Sequence, residues 1–317
     1  MTEPRSHVEK LLRAGTFVVT AELETTDSPD PDSIREVTDV LRGHVDGLNV
    51  TDNSAAHPHI QNVAAGHLLI DLGFEPIVQF VCRDRNRLAL QADLLGAMAL
   101  GIKNICVLTG DDVSAGDHPE AKPIYDIDSI HLLRILDIMR TEGTYLSGRR
   151  LDATPSFFMG CVENPFAPPQ DYRPIRLAKK VEAGAEFCQL QLVFNIGRMR
   201  EFMSICADLG LPEKIFILPS VCIPRSARAL HYMAEQVPGI DVPEELLARM
   251  DGTPKEKQAE EGVRIGLEIV KELRDMAGVA GVHLISIKAP EVISQVVEEA
   301  GLLPRPEMAS AAGSTTP

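Results

Sequence analysis

The sequence predicts an α/β protein folded as a (β/α)8 barrel. Three observations carry that expectation. Eight short apolar runs recur along the 317 residues, mostly continuous, as parallel strands covered by helices require. A helical pattern follows each run, usually stopping at a glycine. The whole repeat occupies roughly 300 residues, within the range of one such barrel. A doubly wound open sheet is the competing arrangement. It would usually carry a glycine-rich turn after its first strand, and here that turn reads ETTDSPD.

The elements follow in order. The N-terminal stretch MTEPRSHVEKLLRAG has no apolar signal core and fits a short helix on the outside of the domain. Strand one is FVVTAEL (17–23). A helix over 31–41 opens after Asp30, a suitable N-cap. Strand two is DGLNVTD (46–52), and the helix over 59–72 ends at Gly73. Strand three is PIVQFVC (76–82). Its helix, 87–100, gathers Leu88, Leu90, Leu94, Leu95 and Met98 near one face and stops at Gly101. Strand four is NICVLTG (104–110), with a helix over 130–139. Strand five is PSFFMGCVE (155–163), with a helix over 175–183. Strand six is FCQLQLVFN (187–195), with a helix over 199–209. Strand seven is KIFILPSVCIP (214–224). Residues 225–281 hold extra helix before strand eight, VHLISI (282–287), and a last helix covers 290–300. The expected domain is a single barrel over 1–303. The small, polar, proline-containing stretch 304–317 reads as a disordered tail.

Composition narrows the function. Asp and Glu number 46 against 31 Lys and Arg, giving a formal charge of −15, which argues against a nucleic-acid binder. No run approaches about 18 uninterrupted apolar residues, so no membrane span is expected. The six cysteines form no CxxC pair or zinc spacing and read as small buried side chains in a reducing, cytoplasmic setting. No metal site is expected. There is no GxSxG, HExxH or P-loop, so difficult chemistry would fall to a cofactor.

Polar residues collect where a barrel does its chemistry, at the C-terminal strand ends. They include Glu22, Thr51, Asp52, Arg83, Thr109, Gly110, Asp111, Glu163, Asn164 and Lys288, with Gln79, Gln189 and Gln191 inside strands. Caps and turns account for many such residues. Glu22 is harder to explain away, because it lies between Ala21 and Leu23 within an apolar strand. Gln191 interrupts Leu190 and Leu192. Its amide suits a heterocycle edge, and a hydrogen-bonded core amide is the plainer alternative.

Six segments then occur in a telling order. They are AELETT (21–26), NVTDN (49–53), QFVCRDRNRLALQADLLGAMALGI (79–102), VLTGDDVSAGDHPEAKPIYDIDS (107–129), ENPFAPP (163–169) and KKVEAGAEFCQLQLVFN (179–195). Over about residues 17 to 303 the chain resembles the methylenetetrahydrofolate reductase family, including the reductase part of bacterial enzymes fused to homocysteine methyltransferase domains. The resemblance implies a barrel that binds FAD at its strand C-termini. The implied reaction reduces 5,10-methylenetetrahydrofolate to 5-methyltetrahydrofolate, with NADH or NADPH reducing the flavin. It makes Glu22 the general acid, whose carboxyl must carry a proton, as an apolar strand site favours. It places Asp111 near flavin and pterin, Gln191 on the pterin and Lys288 at the folate tail. For FAD it implies Thr51, Gln79, Thr109, Gly110, Tyr125, Asp126, Asn164 and Lys180, the last at the pyrophosphate. A locally positive mouth formed by Arg83, Lys180, Arg225 and Lys288 would suit both anionic ligands.

The chain departs from the better-known bacterial reductases at four places. Gln79 stands for their His and Thr109 for their Arg. They carry an aromatic near Gly160 and another at Leu192. The implied partners are tetrahydrofolate and either a second copy or an electron-transfer subunit. A flavin-free or partner-fed reductase, and a folate-binding methyl-transfer subunit, are the alternatives.

Overall fold

Strands buried on both faces need no polar alternation, and each of the eight apolar runs forms one. The computed structural model describes residues 3–23 and 25–308. A short helix α1 (His7–Arg13) precedes β1 (Val18–Leu23). Then come α2 (Asp32–Thr38), β2 (Gly47–Val50), α3 (Asn62–Asp71), β3 (Pro76–Val81), α4 (Arg87–Ala99) and β4 (Asn104–Leu108). The chain continues through α5 (Ser129–Thr141), β5 (Phe158–Glu163), α6 (Tyr172–Glu182), β6 (Phe187–Leu192) and α7 (Ile196–Asp208). It ends with β7 (Phe216–Cys222), α8 (Ala227–Gln236), α9 (Glu244–Asp251), α10 (Gln258–Arg274), β8 (Gly281–Ile285) and α11 (Glu291–Glu299). The strands close in sequence order into a parallel barrel, with β8 pairing back onto β1. This is the (β/α)8 barrel the sequence predicts, and α8 and α9 are the extra helices between β7 and β8.

Side chains alternate between the two faces of each strand. Outward residues such as Val19, Ala21, Val78, Phe80 and Val107 join the helices in one continuous core. Inward residues at the N-terminal end form a second cluster of Val18, Ile77, Cys106, Phe158, Phe187 and Leu218. Phe158 and Phe187 stack with centroids 4.9 Å apart. Gly160 belongs here: a Cβ at that position would lie inside the Phe187 ring. The space beside Gly160 is filled from the neighbouring strand.

Helix α1 does not lie on the outside of the domain. Val8, Leu11 and Leu12 make one apolar face that closes the N-terminal end of the barrel against the second cluster. Glu75 accepts the His7 and Val8 N–H groups, each at 2.8 Å, and Ser6 caps Glu9 at 3.0 Å. Glu9 is only 1% exposed and accepts from Arg5 at 2.7 Å and Arg13 at 2.8 Å. Burial alone would push its carboxyl up. The hydrogen bonds from Arg5 and Arg13 outweigh burial and hold it below its ordinary value of 4.5. A group lowered on folding stabilises above its unfolded value and loses that contribution as pH falls. Replacing Glu9 with Gln is therefore expected to destabilise by about 3 kcal/mol near neutral pH. In urea titrations the gap to wild type should begin to narrow as pH falls through the ordinary value of 4.5 and close only once the lowered folded value is passed. A gap that stays constant from pH 7 down to acid unfolding would refute this account.

Other expectations change in detail. Asp30 is not the N-cap of α2. Pro31 takes that place, and the Asp30 carboxylate accepts the Asp32 N–H at 3.0 Å. In α4, Leu90, Leu94 and Ala97 are buried while Leu88 is 76% exposed, because the first turn stands at the barrel mouth beyond the core. All six cysteines are buried and unpaired. Burial pushes the Cys82, Cys206 and Cys222 thiols up to about 12, which leaves them unreactive. In the stretch expected to be a tail, Arg305 pairs with the buried Asp46 and donates to the Phe17 carbonyl at 2.9 Å. Residues 309–317 lie outside the described residues. Among the described residues no helix is long and apolar enough to cross a membrane.

Candidate active site

The middle and upper layers of the barrel interior are polar, where branched apolar side chains are the rule. The cause is a same-face pattern in four strands: Thr20 and Glu22 in β1, Asn49 then Thr51 along β2, Gln189 and Gln191 in β6, and His283 in β8. Asn49 and Gln189 exchange amide hydrogen bonds across the barrel, at 2.6 and 2.9 Å. Gln189 Nε2 also donates to Thr20 Oγ1 at 3.4 Å, and Thr20 Oγ1 lies 3.0 Å from His283 Nδ1. The other ring nitrogen, His283 Nε2, is buried, has no hydrogen-bond partner, and stands 3.8 Å from Glu22 Oε2. A buried polar chain thus runs upward and ends beneath Glu22.

Above this layer the C-terminal strand ends enclose a cavity of about 370 Å³. Glu22, Thr51, Gln79, Thr109, Gly110, Asp111, Asn164, Lys180 and Gln191 all line it. A second cavity of about 260 Å³ adjoins it and shares Glu22 and Thr51. Glu22 is not fully buried. Its side chain is 30% exposed, because it opens onto both spaces.

Each lining residue is held by local structure. Thr51 Oγ1 pairs with Thr25 Oγ1 at 3.0 Å. Thr109 Oγ1 donates to Ser129 Oγ at 3.1 Å at the start of α5. Gly110 has φ +94°, and a Cβ there would press on Val81 and Arg83 at 3.2 and 3.1 Å. The Asp111 carbonyl accepts from Tyr125 Oη at 2.9 Å and from Arg83 Nη1 at 3.3 Å. Gln191 Oε1 accepts the Leu192 N–H at 2.9 Å, which leaves its NH₂ for a ligand. Asn164 Oδ1 accepts the Phe166 N–H at 2.9 Å.

Three expected site residues stand apart from the cavity walls. Tyr125 only braces Asp111. Asp126 is held by Arg87 at 2.7 Å, which lowers its carboxyl to about 2. Lys288 follows β8 with φ 56° and lines neither cavity. Among the described residues five non-glycines have positive φ, Asn53, Ala55, Ala56, Tyr125 and Lys288, and all lie in loops at this face.

The expected positive mouth is largely neutralised. Lys180 Nζ is 2.9 Å from Glu163 Oε2, both side chains are at most 1% exposed, and Nζ also reaches the Val162 carbonyl. Arg176 and Arg173 approach the same carboxylate at 3.2 and 3.7 Å. Arg83 is paired with Asp84 at 2.7 Å. Arg176, 32% exposed, is the most accessible cation of the Glu163 cluster. Among the described residues no group of three metal-ligating side chains occurs.

Sequence reasoning passed over His283 and Thr20 and gave Asn49 no role beyond its place at the end of strand two. The usable signal was the two-residue spacing that sets Thr20 under Glu22 and Gln189 under Gln191.

A closed parallel barrel with a half-buried acid under a mouth lined by amides and hydroxyls defines a protein of the (β/α)8-barrel class with its candidate site at the C-terminal face. Comparison with known proteins narrows the class. The family model described as methylenetetrahydrofolate reductase matches residues 7–301, and the chain belongs to that family. A probable methylenetetrahydrofolate reductase (NADPH) of Caenorhabditis elegans is 22% identical over 248 residues, covering 75% of this chain and 34% of that protein. Methylenetetrahydrofolate reductase 2 of Schizosaccharomyces pombe is 24% identical over 236 residues, covering 71% of this chain and 36% of that protein. The chain thus spans about a third of the length of these curated relatives. Among solved structures, an uncharacterized Clostridium thermocellum protein described as binding two copies of 5-methyl-5,6,7,8-tetrahydrofolic acid shares the fold. Its TM-score is 0.65 at 13% identity, with 94% of this chain and all of that chain covered. EDTA monooxygenase (EmoA) from Chelativorans sp. BNC1 aligns with a TM-score of 0.56 at 9% identity, covering 90% of this chain and 92% of its own.

Proposed function

We propose that the chain is a methylenetetrahydrofolate reductase that converts 5,10-methylenetetrahydrofolate to 5-methyltetrahydrofolate, with FAD as hydride carrier and NADH or NADPH as electron donor. The observation that carries this reading is Glu22, set on the cavity wall above an otherwise unpartnered His283 Nε2. Family membership and a neighbouring fold described as holding 5-methyltetrahydrofolate support a reduced folate as ligand.

The donor set fits a flavin and a pterin. Gln79, Asn164 and Gln191 offer amides, Thr51 and Thr109 offer hydroxyls, and Gly110 presents bare backbone to the cavity. No Phe, Tyr or Trp is among the described lining residues, so the flat faces of bound rings would meet Leu190, Val162 and Ile285 or each other. Thr51, Gln79, Thr109, Gly110 and Asn164 would hold the flavin, with Arg176 and the Lys180–Glu163 pair beside it. Tyr125 and Asp126 would act through the loops they brace.

When bound, FAD supplies the hydride. Glu22 gives its proton to the imidazolidine nitrogen that leaves the methylene carbon, so the ring opens before that carbon accepts hydride. The His283 ring, itself held by the Thr20–Gln189–Asn49 chain, lies 3.8 Å from the carboxyl on its inner side. Asp111 and the Gln191 NH₂ orient the pterin, and Lys288, in the loop after β8, would meet the folate tail.

The purified protein is expected to show a flavin absorption band, bleached anaerobically by NADH or NADPH and restored by methylenetetrahydrofolate. A colourless protein that still oxidises a nicotinamide with this substrate would replace the flavin with direct transfer. Bleaching only by reduced ferredoxin would identify a partner subunit as donor. Folate binding with no reduction by any of these donors would leave the methyl-transfer reading.

A further inference from the structure

Arg83 has a place in this site that none of the expected roles describes. Its side chain is 2% exposed, yet it lines the main cavity beside Gly110 and Asp111. A guanidinium carries five N–H donors in a fixed fork. Four are spent here. Nε and Nη2 hold the Asp84 carboxylate at 2.7 and 2.8 Å. Nη2 also donates to the Asn53 carbonyl at 2.9 Å, and Nη1 to the Asp111 carbonyl at 3.3 Å. Among the described residues the second N–H of Nη1 has no acceptor. Asp84 is itself tied by Asn53 Nδ2 at 3.1 Å, so the fork is rigid and knits together the loops after β2, β3 and β4. A buried cation held this way is preorganised, and an unspent donor on a cavity wall is costly unless a ligand takes it.

We propose that Arg83 donates this remaining N–H to a ring carbonyl of the bound heterocycle, the cyclic-amide oxygen that a flavin and a pterin both carry. Asp84 neutralises most of the charge, so the contact suits a neutral, electron-rich oxygen better than a phosphate. The inference rests on the proposed reductase reading and adds a recognition residue to it.

The test titrates FAD, 5-methyltetrahydrofolate and the 4-amino counterpart of that folate into the wild type and Arg83→Gln, with thermal melting as a fold control. One natural ligand is expected to bind Arg83→Gln at least tenfold more weakly, in line with a lost charge-assisted hydrogen bond. If the pterin is the partner, the wild type prefers the 4-oxo over the 4-amino compound and the variant loses that preference. A purely structural role would not change this ratio. If the flavin is the partner, FAD affinity falls while the 4-oxo preference stays. Should the reduced flavin lose more than the oxidised one, each tenfold difference lowers the potential by about 30 mV for a two-electron couple. Arg83→Lys, which keeps the charge and loses the fork, replaces a Gln variant that does not fold, with the same expected result. FAD and folate both binding the folded variant within twofold of wild type would overturn the assignment and leave the reductase reading standing. A wild type that binds neither would overturn both.

Discussion

Glu22→Gln is expected to lower the rate of methylenetetrahydrofolate reduction by about 100- to 10,000-fold, the usual worth of a positioned general acid. The change is nearly isosteric and the side chain faces open space, so flavin and folate binding should stay within a few-fold of wild type. Nicotinamide-driven flavin bleaching should also persist, because that half-reaction needs no proton from Glu22. Separate stopped-flow measurement of the two half-reactions would show the split. Equal losses in both would mean that Glu22 maintains the cavity rather than supplying a proton. His283→Asn offers a graded companion. It acts through Glu22 in this reading, so the expected loss in folate reduction is smaller while folate binding stays within a few-fold of wild type.

Neutralising Glu163 is expected to have the largest effect on stability. Its side chain is fully buried and is the shared counter-ion of Lys180, Arg176 and Arg173. Glu163→Gln leaves the Lys180 ammonium buried with only the Val162 carbonyl as a strong acceptor. Removing one partner of a buried pair costs about 3–5 kcal/mol. Lys180→Met should cost less, since two arginines still face the carboxylate. The double variant should recover much of the loss from Glu163→Gln, giving a coupling energy of more than about 1 kcal/mol in urea unfolding. Additive losses would show that the pair is held apart by water or by a ligand in solution.

The fold was readable because its signal is local. Strands covered on both sides appear as apolar runs, and glycines such as Gly73 and Gly101 mark helix ends with positive φ. Strand lengths were overread at their C-terminal ends, since Thr51, Asp52, Thr109 and Gly110 extend the runs but belong to loops. The amphipathic face of α1 was visible, but its partner, the base of the barrel, depends on closure that no window of sequence reports. The same limit applies to the site. Glu22, Asp111 and Gln191 stood out as polar residues at strand ends, and all three reach one cavity. Lys180 looked like a free cation because Glu163 lies 17 residues earlier, a separation at which pairing is decided by β5 and α6 packing together. His283 was hidden for a related reason, since its meaning comes from Glu22 and Thr20 across the barrel seam.

The plug formed by α1 turns the barrel into a well with one opening. Val8, Leu11 and Leu12 leave no apolar-lined exit below Phe158 and Phe187. A proton surrendered by Glu22 in the proposed reaction cannot be replaced from beneath. It would come back from the mouth side, where two adjoining cavities both reach Glu22, so the closed far end of the barrel fixes the direction from which the acid is reset.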